Sequence, residues 1–189
     1  MLIISFDIGI VNLGLTILQD ETILIWEVIK LFDKVKKNIN TNNLCEIIYI
    51  RMDDIIGKLK DITNDKIDYI LLENQPSKGI MKTTQILLYG YFYNLKYYDN
   101  YVKEIIQVSA SIKLEGIEMD KTCNKNQQYR NNKKKSIELC KELIKNDLKL
   151  EEIMNEYKLK QDDLCDSLLQ IIGFLKKKNN IIEKVKSNI

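Results

Sequence analysis

Apolar and small residues open the chain without interruption from Leu2 to Phe6, and the run then meets a lone carboxylate, Asp7, with Gly9 and Gly14 following. The β-branched content of Leu2 to Asp7 predicts a short buried strand closed by those glycines. The stretch LTILQDETILIWEVIKL predicts a hairpin, with Leu15 to Leu18 and Thr22 to Ile29 as strands and Gln19, Asp20 and Glu21 as the turn. From Asn43 to Ile62 the period changes: Leu44, Ile47, Ile48, Met52, Ile55, Ile56 and Leu59 recur at spacings of three and four, which predicts an amphipathic helix packed on a sheet. IDYILLE, residues 67 to 73, is nearly continuous in apolar residues and so reads as a central strand, again ending in a carboxylate, Glu73.

The same reading continues with a helix from Lys82 to Tyr98 and a strand from Glu104 to Ser109. A polar, basic loop is expected from Lys121 to Asn132. Helix resumes at Lys133 with Ile137, Cys140, Leu143 and Ile144 on one face, and a last helix begins near Asp162 and ends in a lysine run that complements its dipole. The order β-β-β-α-β-α-β-α-α predicts an α/β fold: a mixed sheet of three antiparallel strands followed by parallel ones, flanked by helices. At 189 residues, with one proline and few glycines, the expectation is one domain spanning residues 1–189.

Composition narrows the chemistry by exclusion. There is no histidine, so His/Cys zinc sites, Ser-His-Asp triads and Cys-His dyads are ruled out. The four cysteines are scattered with no CxxC pair, and the first apolar run lacks a basic leader, so free thiols in a reducing, intracellular setting are expected. No stretch approaches the roughly 18 apolar residues of a membrane span. The net charge is only +2, but basic residues cluster between Lys121 and Lys145. Lys121, Lys125, Arg130, Lys133, Lys134 and Lys135 are candidates for contact with a polyanion; the ordinary alternative is a solvated helix face.

Acid-base and metal chemistry therefore fall to carboxylates and lysines. If the strands ending in Asp7 and Glu73 lie side by side and parallel, both carboxylates emerge at the edge of the sheet where α/β folds bind ligands. The last helix supplies Asp162, Asp163 and Asp166, and spacings of three and four put Asp166 on one face with either predecessor. Singly, each has a plain structural explanation as a cap or loop residue. Together they repel one another unless a divalent ion neutralises them. Oxygen-only ligation selects Mg²⁺ or Mn²⁺. Two such ions about 4 Å apart suit phosphodiester cleavage, and the basic segment downstream suits a nucleic-acid backbone. Gly9 would let the turn close beside the metals and keep the backbone clear for a phosphate.

The segments SFDIGIVNLG, YILLENQP, RNNKKKSIELC and KLKQDDLCDSLL occur in the order found in the poxvirus Holliday junction resolvases, and the chain resembles that family from about Ile3 to about Leu175. These are relatives of bacterial RuvC and of the fungal mitochondrial resolvases. LLE-x-QP and DD-x-x-D-S are the most specific pieces. The resemblance implies a ribonuclease-H-like fold with a five-stranded sheet, and a homodimer with two Mg²⁺ per active site (Mn²⁺ substituting) acting on four-way DNA. The acidic tetrad it implies falls on Asp7, Glu73, Asp163 and Asp166, with Asp162 left as a cap. Its lysine cluster falls on Lys133, Lys134 and Lys135, with Lys134 or Lys135 expected at the scissile phosphate. Two departures, Val11-Asn12-Leu13 after the D-x-G and Ala110 in VSASIK, remove no carboxylate.

The activity so implied is a one-step hydrolysis with Asp7 bridging both metals, leaving 5′-phosphate and 3′-hydroxyl ends, in viral DNA replication and recombination in the host cytoplasm. The aromatic residues Tyr91, Phe92, Tyr93, Tyr97 and Tyr98 are expected either near a subunit interface or in the core. Rivals are a broader branched-DNA or RNA/DNA-hybrid nuclease, a non-catalytic junction-binding protein, and an actin-like sugar or acetate kinase, which also begins with D-x-G but needs two such halves.

Overall fold

The computed structural model describes residues 1–33, 39–115 and 124–186. Its centre is a five-stranded sheet in the order β3-β2-β1-β4-β5. The strands are β1 (Leu2–Ile8), β2 (Asn12–Gln19), β3 (Thr22–Lys30), β4 (Ile67–Glu73) and β5 (Val102–Val108). β1 to β3 form the expected antiparallel meander, and β4 and β5 add in parallel beyond β1. This is the mixed sheet of a ribonuclease-H-like fold. The registers pair Phe6 with Leu72 and Asp7 with Gly14, so Asp7 and Glu73 end neighbouring parallel strands at one edge.

Every residue of β1 is buried because helices cover both faces of the sheet. Leu2, Ile4, Phe6 and Ile8 point to one face, where α1 (Thr41–Ile62) and α2 (Ile80–Tyr97) pack. α1 buries Leu44, Ile48, Met52, Ile55, Ile56 and Leu59, the period-three-and-four stripe visible in the sequence. Asn40 caps its start by accepting from the Asn42 N–H. The Tyr91 hydroxyl donates to Asp53 across the two helices at 2.6 Å. Tyr91 and Phe92 lie in the core, one of their two expected settings, whereas Tyr93, Tyr97 and Tyr98 are exposed.

The other face of β1 presents Ile3, Ser5 and Asp7, because side chains alternate along a strand. Against it lies α5 (Gln161–Lys186), with α3 (Lys125–Leu143) and α4 (Leu148–Glu156) beyond. A polar seam fixes the register of α5 on the sheet. Gln170 donates to Ser5 Oγ at 3.0 Å and to the Phe6 carbonyl at 3.1 Å, and Thr16 and Ser167 share a hydrogen bond at 2.7 Å. Trp26 Nε1 donates to the Leu164 carbonyl at 2.9 Å. Buried polar groups are costly unless paired, so this seam has one favourable register, and that register decides where the acidic residues of α5 fall.

Four features depart from the sequence reading. α3 begins at Lys125, not Lys133: the Asn124 side chain accepts from the Gln127 N–H and starts the helix in a stretch too polar to show a period. α4 was not expected, since its nine residues bury only Met154 fully. α5 begins at Gln161, so Asp162 sits inside the first turn and not at the cap. A short 3-10 helix, η1 (Ala110–Leu114), also follows β5. Among the described residues no helix is long and apolar enough to cross a membrane, and Cys45, Cys140 and Cys165 carry free thiols. Cys123 lies outside the described residues.

Candidate active site

Asp7, Glu73 and Asp166 converge on one point. The ammonium of Lys113, on η1, stands 2.6 Å from Asp7 Oδ1, 3.0 Å from Asp166 Oδ2 and 3.1 Å from Glu73 Oε2. All four side chains are largely buried, Lys113 being 9% exposed. They form the floor of a cleft of about 360 Å³ that Asp163, Lys133 and Tyr129 also line. Asp163 stands one turn before Asp166, with Lys160 3.7 Å away.

Close packing of backbone builds this floor. A Cβ added at Gly14 would stand 2.0 Å from the Asp163 carbonyl oxygen and 3.2 Å from Asp7 Cβ, so only glycine lets the start of α5 approach β2 beside Asp7. At the far end of the contact, a Cβ on Gly173 would stand 1.9 Å from the Ile112 carbonyl oxygen. That second close approach seats η1, and with it Lys113, against α5. Gly14→Ala is expected to destabilise the protein by about 1–3 kcal/mol through overpacking and to weaken divalent-ion binding, read by denaturant unfolding and ion titration. An unchanged unfolding midpoint would show that α5 has room to shift.

The electrostatics follow from carboxylates outnumbering the ammonium. Burial raises the Asp7 carboxyl to about 7; Lys113 opposes this and Glu73 adds to it. Burial, then the charges of Asp162 and Asp7, raises Asp163 to about 6. Burial also raises Asp166, against the pull of Lys113. For Lys113 burial acts downward, but the charges of Asp7, Asp166 and Glu73 prevail and hold it firmly protonated. The site therefore has an unmet demand for positive charge.

A hard cation would suit that demand by charge and donor type, although among the described residues no three carboxylates stand close enough to hold one as they are placed. All donors are carboxylate oxygens, the ligand type of Mg²⁺ and Mn²⁺. Asp166 Oδ1 is buried with no hydrogen-bond partner among the described residues, as is Asn132 Oδ1 in the same cleft, and is open to a further donor or an ion. The ammonium already occupies a position coordinated by three carboxylates.

The basic residues distribute unevenly. Lys133 lines the cleft and pairs with Asp162, while Lys134 is exposed and only loosely paired with Glu138 at 3.9 Å. Lys135 and Arg130 are exposed on α3 outside the cleft lining. Lys121 lies outside the described residues, as does the side chain of Lys125. The lysine at the carboxylates is thus Lys113, which sequence reasoning missed. It sits just past β5 in the segment VSASIK, and the one available signal was that β5 ends at the same sheet edge as Asp7 and Glu73.

The family model described as Poxvirus A22 protein matches residues 1–177. The chain belongs to the poxvirus A22 family. Among solved structures it is similar to the fowlpox virus resolvase in complex with substrate Holliday junction DNA, at 23% identity and a TM-score of 0.57, covering 94% of this chain and 98% of that one. It is similar also to Thermus thermophilus RuvC in complex with Holliday junction substrate, at 11% identity and a TM-score of 0.54, covering 94% and 96% of the two chains. A further Thermus thermophilus RuvC structure matches at 13% identity and a TM-score of 0.52, covering 94% and 97%. At such identities these likenesses establish a shared RuvC-like fold. No curated protein matches the sequence.

Proposed function

We propose that this A22-family chain is a Holliday junction resolvase, a structure-selective endodeoxyribonuclease that makes paired nicks in four-way DNA junctions by metal-assisted phosphodiester hydrolysis. One observation carries the chemistry: three buried carboxylates from β1, β4 and α5 meet at a single cation position. Family membership and the fold shared with the fowlpox enzyme support the substrate.

Asp7, Glu73, Asp163 and Asp166 would hold the metal. Bound there, Mg²⁺ or Mn²⁺ would lower the pKa of an attacking water and stabilise the leaving 3′ oxygen. The remaining work belongs to the chain. The carboxylates set a steep negative potential at the floor, so a phosphodiester enters only where cations are present to receive it. Lys113 holds that cation position in the structure, its three N–H groups directed at Asp7, Glu73 and Asp166; on metal uptake by those carboxylates the ammonium would be displaced toward the cleft, within reach of a phosphate oxygen. Lys133 stands at the cleft wall, restrained by Asp162. The exposed lysines and Arg130 of α3 offer phosphate contacts that set position without reading sequence. The chain would act as one nuclease domain and as a homodimer, each subunit nicking one of two opposed strands, on viral DNA in the host cytoplasm.

Incubating the protein with a four-way junction in Mg²⁺ tests the end chemistry. The expected products are symmetric nicks bearing 5′-phosphate and 3′-hydroxyl ends, which DNA ligase reseals directly. Nicks that ligase cannot close would contradict the proposed reaction.

A further inference from the structure

Tyr129 is an exposed aromatic residue that the hydrolysis itself does not require. It lies in the second turn of α3, is 61% exposed and lines the mouth of the carboxylate cleft. Its ring is not free to wander: the Lys133 ammonium, one turn on, sits 5.1 Å from the ring centroid, and Lys133 is itself tied to Asp162 in the first turn of α5. The helix that carries Asp163 and Asp166 therefore also restrains this ring.

Burying so little of a large ring contributes almost nothing to the fold. Its placement does suit a ligand. A phosphodiester lowered onto the cleft floor brings the nucleotides on either side against the cleft mouth, where the described side chains include one aromatic ring. Nucleobases stack on such faces whatever their identity. A base that is unpaired or already out of the stack moves onto a protein ring at less cost than one in continuous duplex.

We propose that Tyr129 is a stacking platform for the base of a nucleotide flanking the phosphate that enters the cleft. The inference rests on the nuclease reading above. It gives the cleft a preference for DNA whose bases can leave the stack, a preference that carboxylates and lysines alone do not supply.

The test uses four-way junctions carrying 2-aminopurine at single positions around the crossover, with fluorescence read on binding in Ca²⁺ and cleavage kinetics read in Mg²⁺. Wild-type protein is expected to change the fluorescence at a position next to the cleaved bond. Tyr129→Phe keeps the ring and should keep that signal. Tyr129→Ala should lose it and raise KM by about 5- to 150-fold, the range for one base-aromatic stack. Equal fluorescence profiles and equal KM for wild type and Tyr129→Ala, with normal cleavage by both, would overturn the stacking role while leaving the nuclease reading intact. Failure of the wild-type protein to bind or cut the junction would overturn both.

Discussion

Lys113→Met is expected to lower the stability of the metal-free protein at pH 8 by about 3–5 kcal/mol, the usual loss when one partner of a buried charge cluster is removed. The substitution keeps most of the side chain's volume but leaves Asp7, Glu73 and Asp166 facing one another without a counter-charge. Two qualifiers of this result identify its cause. First, the deficit should shrink as pH falls, because protonating the carboxylates relieves their repulsion. Second, Mg²⁺ should restore more stability to the variant than to the wild type, since an ion that binds the folded state alone stabilises it.

The wild type carries a weaker form of the same dependence. The folded values for Asp7, about 7, and Asp163, about 6, lie above the ordinary 3.8. Between about pH 4 and 7 the folded state therefore binds more protons than the unfolded chain, and stability through these groups falls as pH rises across that window. Thermal melts in EDTA across that range would read this directly. Equal melting of wild type and Lys113→Met in EDTA at pH 8 would show that the ammonium does not act as the site's counter-charge.

The second large effect is on chemistry. Asp7→Asn keeps the shape of the β1 terminus and removes the charge at the centre of the carboxylate set. Metal-assisted stabilisation of a reacting phosphate is worth several kcal/mol, so cleavage should fall on the order of a thousandfold. Junction affinity should change little, because phosphate contacts from lysine and arginine supply most of it. The variant is also expected to be at least as stable as wild type in EDTA, having one fewer carboxylate competing for Lys113. Undiminished cutting in Mg²⁺ would remove Asp7 from the reaction.

Much of this architecture was legible in the sequence because apolar periodicity is strong where burial is deep. All five strands and helices α1, α2 and α5 announce themselves in that way, and the two strand-ending carboxylates stood out because polar residues are rare in such runs. Legibility failed where structure rests on few apolar contacts. The first two turns of α3 are held by an Asn124 cap, and α4 is anchored chiefly by Met154. Lys113 gave no periodic signal because its position comes from a tertiary contact, the seating of Ile112 against Gly173. Of the lysines singled out by clustering, Lys133 lines the cleft while Lys134 and Lys135 lie outside its lining, and an isolated lysine, Lys113, occupies its floor. Clustering in sequence reports charge density, whereas the floor of a site is filled by whichever segment the fold brings there.

The central claim is that this carboxylate floor cuts four-way DNA. Its most direct measurement offers a labelled four-way junction and a linear duplex of the same sequence to wild-type protein in Mg²⁺, with Asp7→Asn alongside. Paired, symmetric nicks in the junction, an intact duplex and no nicks with Asp7→Asn are the expected result. Equal cutting of junction and duplex, or cutting that survives Asp7→Asn, would contradict it.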